Sequence, residues 1–170
     1  MGLSPDALLA RVREVFGEAV LDTQQPCGEP TAVIQRDAAL SVFRALRDQP
    51  EFAFDMLTDV TAADYLGKTP RFAVVYHLNS LSQHHRLRIT VRVPEDDPWA
   101  HSLVDLWKSA NWLERECWDM FGIRFVGHPD LRRILMYEEF VGHPLRKDYP
   151  VEKRQPLTEE RDPIEVGWKF

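Results

Sequence analysis

Residues 72–93 read FAVVYHLNSLSQHHRLRITVRV, and the period of this stretch decides the fold. Phe72, Val74, Tyr76 and Leu78 alternate with Ala73, Val75, His77 and Asn79; after a polar loop, Leu87, Ile89, Val91 and Val93 alternate with Arg86, Arg88, Thr90 and Arg92. Successive side chains of a strand point to opposite faces, so a period of two marks two half-buried strands, and the short polar loop predicts an antiparallel hairpin. The apolar set faces a core. The other face would carry three arginines, either as a solvated sheet surface or as a docking face.

Working outward, Thr31 to Gln35 (TAVIQ) is expected as a short strand and Phe52 to Val60 as a longer one. Ser4-Pro5 has the form of a helix start, a capping hydroxyl followed by a proline whose missing N–H costs nothing there. Leu8, Val12, Val15 and Phe16 follow at helical spacing, and Gly17 is the expected stop. Asp37 is expected to cap a second helix with the stripe Ala39, Leu40, Phe43 and Leu46, ending before Pro50. Asp97-Pro98 is expected to open a third, with Leu103, Leu106, Trp107 and Ala110 on one side; Asn111 ends it or caps a further helix over 112–121 that stops at Gly122. The expected order is α–β–β–α–β–β–β–α, a two-layer α+β domain with a mixed or antiparallel sheet over residues 1–125.

After Phe125 the texture changes. Pro129, Pro144, Pro150, Pro156 and Pro163 punctuate the last 45 residues, and neither helical nor strand period survives. Leu131, Ile134, Leu135, Tyr137, Phe140, Leu145, Tyr149, Trp168 and Phe170 are too many apolar residues for a simple linker. Residues 126–170 are therefore expected as an extended, proline-rich arm. Its proximal half either packs back on its own domain or lies on a partner; beyond Lys153 a partner's surface is expected, because so long a stretch without secondary structure is unusual in a self-contained domain.

Composition excludes several classes. The chain has 170 residues and a formal net charge of −6, against a general nucleic-acid binder, which shows a basic stripe. Cys27 and Cys117 lie far apart and form no disulfide framework, which favours a reducing compartment. The N-terminal residues mix charges with apolar positions, unlike a signal peptide, and nowhere do about 18 apolar residues run together, so any membrane association is expected through a partner. Two cysteines are too few for an iron–sulfur cluster, and HExxH, paired CxxC, GxGxxG and the phosphate-binding loop are absent from the sequence. His84-His85 reads as a turn dipeptide.

The charged cluster is Glu114-Arg115-Glu116 with Asp119, within NWLERECWDMFG. On a helix, Leu113, Cys117, Met120 and Phe121 form the inward stripe, Cys117 as a buried thiol. Arg115 and Asp119, four apart, are expected on the outward side beside Trp112, as a surface pair or a docking contact. A catalytic alternative would use Glu116 with Asp119, or Asp55, Asp59 and Asp64, as acid–base or metal-binding carboxylates of a hydrolase. Two segments echo one another: Gly127-His128-Pro129 before Arg132-Arg133, and Gly142-His143-Pro144 before Arg146-Lys147-Asp148. A turn followed by basic residues suits pairing with carboxylates, of a partner or of the Glu114–Asp119 helix.

The run Glu114 to Leu135 (ERECWDMFGIRFVGHPDLRRIL), followed by Gly142 to Pro150 (GHPLRKDYP) and Lys153 to Leu157, resembles the signature of the 30-kilodalton subunit family of respiratory complex I, the C subunits of NADH:quinone oxidoreductase. The resemblance rests on Glu114, Arg115, Glu116, Asp119, Met120, Phe121, His128, Arg132, Ile134 and Leu135. It implies a non-catalytic structural subunit of the peripheral arm, in the quinone-reducing module, packed on subunits D and B at the cytoplasmic side of the inner membrane. It also implies that this chain binds no cofactor, FMN and iron–sulfur clusters lying in other subunits. The interface residues it implies are Glu114, Arg115, Glu116, Asp119, His128, Arg132, Arg133, His143, Arg146, Lys147 and Asp148. The equivalent subunit of a membrane-bound hydrogenase-type complex is the neighbouring alternative.

Overall fold

In the computed structural model, which describes residues 3–152 and 155, the hairpin forms as its period predicts. Strands β4 (Phe72–Ser80) and β5 (His85–Val93) pair antiparallel, with Tyr76 opposite Ile89 and His77 opposite Arg88. They are the centre of a five-stranded sheet of order β1-β2-β5-β4-β3, with β1 Val20–Gln24, β2 Thr31–Ile34 and β3 Met56–Asp64. β2 lies parallel to β5 and the other pairs are antiparallel, so the sheet is mixed.

Helices α1 (Pro5–Phe16), α2 (Ala39–Asp48) and α3 (Ala110–Phe121) complete the α+β domain. Ser4 caps α1 by accepting from the Ala7 amide at 3.4 Å, and Gly17 ends it at φ 49°. Phe43 of α2 reaches the sheet against Tyr76 (ring centroids 4.7 Å apart) and Trp107 (6.2 Å). Leu8, Phe43, Phe72, Val74, Tyr76, Ile89 and Val91 are all buried in this core, and each such large side chain contributes about 1.5–3 kcal/mol by leaving water.

Four local expectations are corrected. Residues 97–109 are not a helix: Trp99–His101 is a short strand, β6, paired parallel with β7 (Arg124–Val126), and turns follow. The Trp107 amide bonds to the Leu103 carbonyl at 2.8 Å and the Ala110 amide to the Trp107 carbonyl at 3.1 Å, so successive turns imitate helical spacing. Asp37 caps nothing; α2 begins after Ala38, and no side chain caps it. The strand expected from Phe52 starts only at Met56, because Phe52 and Phe54 fold back onto the carbonyls of Gln49 and Leu46. Asn111 lies inside α3 rather than at a cap, since the helix starts at Ala110.

β3 is an edge strand, and α3 covers it. Cys117 donates to the Val60 carbonyl (3.4 Å) and Ser109 to that of Leu57 (2.9 Å), which occupies edge acceptors that would otherwise invite another strand.

Candidate docking surface

Residues 127–150 run along α3 from its first turn to its last as a strap. The two Gly-His-Pro turns fasten its ends. His128 donates from Nε2 to the Asn111 carbonyl (3.0 Å), and His143 donates from Nδ1 to that of Asp119 (3.0 Å). Between them, Arg115 donates to the carbonyls of Arg132 (3.1 Å) and Arg133 (3.0 Å). The final carbonyls of a helix have no intrahelical partner. Here the strap supplies them: the Leu145 amide reaches Met120 at 3.1 Å and the Arg146 guanidinium reaches Phe121. A cation there also suits the negative end of the helix dipole. Gly122, at φ 73°, closes α3 in the left-handed region, and a β-carbon on it would lie 2.6 Å from the His143 ring.

Asp119 is the strap's central anchor. It is completely buried, and its Oδ2 accepts from the consecutive amides of Ile134 (3.1 Å), Leu135 (2.9 Å) and Met136 (2.9 Å), while Oδ1 pairs with Arg133. Burial alone would push this carboxyl up; the three amides and the guanidinium outweigh it and hold it below the usual carboxylate range. Glu114 is also fully buried, but turned towards the β6 side, where it accepts from Ser102 Oγ (2.7 Å) and the Leu103 amide (2.6 Å). With no cation beside it, burial wins and pushes the carboxyl up to about 7.

The end of the strap is clamped by Arg71. Its side chain is buried and donates to both carboxylate oxygens of Asp64 (2.8 and 2.7 Å), to both of Asp148 (3.0 and 2.8 Å) and to Glu95. The Lys147 amide completes the cluster on Asp64 at 2.8 Å. Arg71 and Arg146 both lie over the Phe72 ring. Nothing in the sequence singles out Arg71; a lone arginine before a strand carries no pattern.

The outward Arg115–Asp119 pair is thus corrected: each residue is engaged with the strap rather than with the other. The helical projection is right about the side they occupy, but the chain's own strap covers that side. Of the arm's two expected placements, the proximal half takes the one on its own domain. The expectation of a partner beyond Lys153, and the signature residues Lys153, Arg154, Pro156 and Leu157, fall outside the described residues.

Among the remaining candidates, Glu116 and Lys147 are exposed and Arg132 pairs with Asp130 at 2.9 Å. The carboxylates of the hydrolase alternative do not converge: Glu116 faces solvent, Asp119 the strap, Asp64 Arg71, and Asp55 the Leu81 amide. Among the described residues no group of three His, Cys, Asp or Glu is placed to hold a metal ion. Several large apolar side chains also stay exposed on these elements. Trp112 on α3 is 70% exposed, and the strap exposes Leu135, Tyr137, Val141 and Leu145.

The model of the family described as respiratory-chain NADH dehydrogenase, 30 Kd subunit, matches residues 32–155, a span containing most of β2, strands β3 to β5, α3 and the strap. The chain belongs to this family. The C subunit of NADH-quinone oxidoreductase from Citrifermentans bemidjiense is 47% identical over 144 residues, covering 85% of this chain and 88% of that protein. The corresponding protein of Thiobacillus denitrificans, of the same name, is 43% identical over 172 residues, covering 95% and 86%. Among solved structures, the trypsin-resistant fragment of Nqo5 superposes with a TM-score of 0.66 at 34% identity, covering 76% of this chain and 100% of that one. A chain of an archaeal membrane-bound sulfane sulfur reductase superposes with a TM-score of 0.71 over 92% of this chain and 96% of that one; at 20% identity this is a likeness of fold alone. This member of the 30-kilodalton subunit family has, among its described residues, no helix long and apolar enough to cross a membrane.

Proposed function

We propose that this chain is a non-catalytic structural subunit of the NADH:quinone oxidoreductase peripheral arm, and that its strap presents the surface on which neighbouring subunits dock. The observation that carries this reading is the arrangement of the strap. Asp119, Arg133, His143 and Arg71 are spent on holding it against the domain, while Leu135, Tyr137, Val141 and Leu145 stay outside with Trp112. An anchored backbone with outward apolar side chains, an aromatic among them, is the composition of an interface core.

In this reading Glu114, Asp119 and Arg133 shape the surface from beneath, and Glu116, Arg132 and Lys147 form its charged rim. Residues 126–170 act as one docking arm, and subunits D and B are the partners. FMN and the iron–sulfur clusters are held by other subunits, and attachment to the cytoplasmic side of the inner membrane comes through the assembly.

The test is a chromosomal Leu135→Asp, Val141→Asp variant carrying an affinity tag. The wild-type chain is expected to co-purify from native membranes with subunits D and B and with NADH:quinone activity. The variant is expected to stay folded but to lose both. An unimpaired complex built on the variant would overturn the proposed surface, and a wild-type chain that purifies alone would overturn the subunit reading.

A further inference from the structure

The face of the sheet turned away from α2 carries a second polar constellation that the strap does not use. In β3 the register shifts between Leu57 and Asp59, leaving Thr58 without a partner on β4. A bulge of this kind bends the strand locally. A cavity of about 350 Å³ opens there, lined by Glu29, Thr58, His77, Asn79, Arg86 and Arg88. Asn79 faces Arg86, and His77 faces Arg88, across the β4–β5 pair.

Arg88 is held ready. Its Nε donates to His77 Nε2 at 3.3 Å, which leaves the two terminal nitrogens of the guanidinium directed elsewhere. The half-buried His77 ring is kept neutral by burial and by Arg88 itself, so it remains an acceptor. Among the described residues neither Arg86 nor Arg88 has a carboxylate within the 4.0 Å of an ion pair, although Glu29 and Asp59 are near. Arg92, the third arginine of this face, lies over the Tyr65 ring instead. In a chain of net charge −6, two adjacent guanidinium groups share this recess with one lining carboxylate, Glu29, and form no ion pair with it, which leaves the lining net positive.

From this geometry we infer that the recess around Arg86 and Arg88 is a second docking site, taking an acidic side chain from a neighbouring subunit of the same assembly. A guanidinium fork matches a carboxylate in shape and charge, and Asn79 and Thr58 offer further hydrogen bonds beside it. The recess admits a side chain rather than a flat surface, which makes the contact specific in register. The occupant is a partner's Asp or Glu because the charge to be matched is positive. The inference rests on the subunit reading given above, but not on the strap, which lies along α3 rather than on this face.

The experiment uses the assembled complex carrying Arg86→Lys and Arg88→Lys, which keep the charge and supply amines. A carbodiimide joins an amine to a carboxylate in direct contact, and mass spectrometry reads the joined peptides. The expected result is an amide between position 86 or 88 and an Asp or Glu of another subunit, absent from the isolated chain. A complex that isolates intact but shows only joins to Glu29 or Asp59, or none, overturns the inference while leaving the subunit reading in place. In parallel, Arg86→Glu with Arg88→Glu is expected to lower the yield of assembled complex severalfold while the isolated chain keeps its circular dichroism and melting curve. Undiminished assembly of that variant also overturns the inference. A chain found in no complex removes the subunit reading itself, and this inference with it.

Discussion

Asp119, in the last turn of α3, pairs with Arg133 of the strap, and the same carboxylate accepts from the three amides that follow Arg133 in the chain. One buried side chain thereby fixes both a charge and three consecutive backbone amides. The strap has no secondary structure of its own, so its position depends on such fixed points.

Replacing Asp119 by Ala leaves three amides without an acceptor and Arg133 without its counter-charge. Breaking one side of a buried pair costs roughly 3–5 kcal/mol. The expected outcome is a lower denaturation midpoint together with faster tryptic cleavage after Arg132 and Arg133, followed by mass spectrometry of the fragments. Unchanged cleavage would show that other contacts hold the strap.

Glu114 sets a pH dependence of the opposite sign to most carboxylates. Its ordinary value is 4.5 and burial raises it to about 7. Between those values the folded chain keeps a proton that the unfolded chain has released, so stability falls as pH rises through this window and levels off above it. The contribution is on the order of 3 kcal/mol. Glu114→Gln, which can still accept from Ser102 or Leu103, is expected to flatten unfolding free energy between about pH 5 and 7, as read from urea titrations at several pH values. Asp64 and Asp119 act in the usual direction: their lowered values give stability present above the ordinary 3.8 and lost as pH falls through the depressed range.

The Arg71 cluster separates a structural pair from a surface one. Asp64 and Arg71 are both about 1% exposed, whereas Asp148 is half exposed. Arg71→Ala leaves Asp64 buried without a cation and is expected to cost roughly 3–5 kcal/mol. Asp148→Asn removes a partly solvated partner and is expected to cost about 1 kcal/mol or less. Chemical denaturation of both variants compares them directly; equal losses would mean that the strap end, not the sheet end, dominates the clamp.

Gly122→Ala combines a left-handed backbone with a β-carbon pressed into the His143 ring. The backbone alone costs about 1–2 kcal/mol. Displacement of the ring should also be visible as a shift of the His143 imidazole resonances, which a purely backbone effect would leave in place.

The hairpin at 72–93 is legible in the sequence because burial on one face imposes a period of two that no other structure shares. α3 is legible too, with Cys117, Met120 and Phe121 turned inward as the helical stripe demands. β6 and β7 are not, because a three-residue parallel pair between Trp99–His101 and Arg124–Val126 depends on distant partners, while the turns after it mimic a helix at Leu103, Leu106 and Trp107. The helical projection places Asp119 correctly on the side of α3 away from the sheet. What it conceals is that the chain itself returns to cover that side, since the strap has no period and is held by single contacts. The Gly-His-Pro echo is the one local trace of it: two positive-φ glycines, 127 and 142, each setting a histidine against a carbonyl of α3.

The central claim is that the strap's outer surface is an interface, and hydrogen exchange tests it most directly. Exchange is followed by mass spectrometry in the isolated chain and in the oxidoreductase complex purified from native membranes. The account predicts that peptides spanning Leu135 to Leu145 exchange markedly more slowly in the complex, while those of the β4–β5 core change little. Equal exchange of the strap peptides in the two states would contradict it.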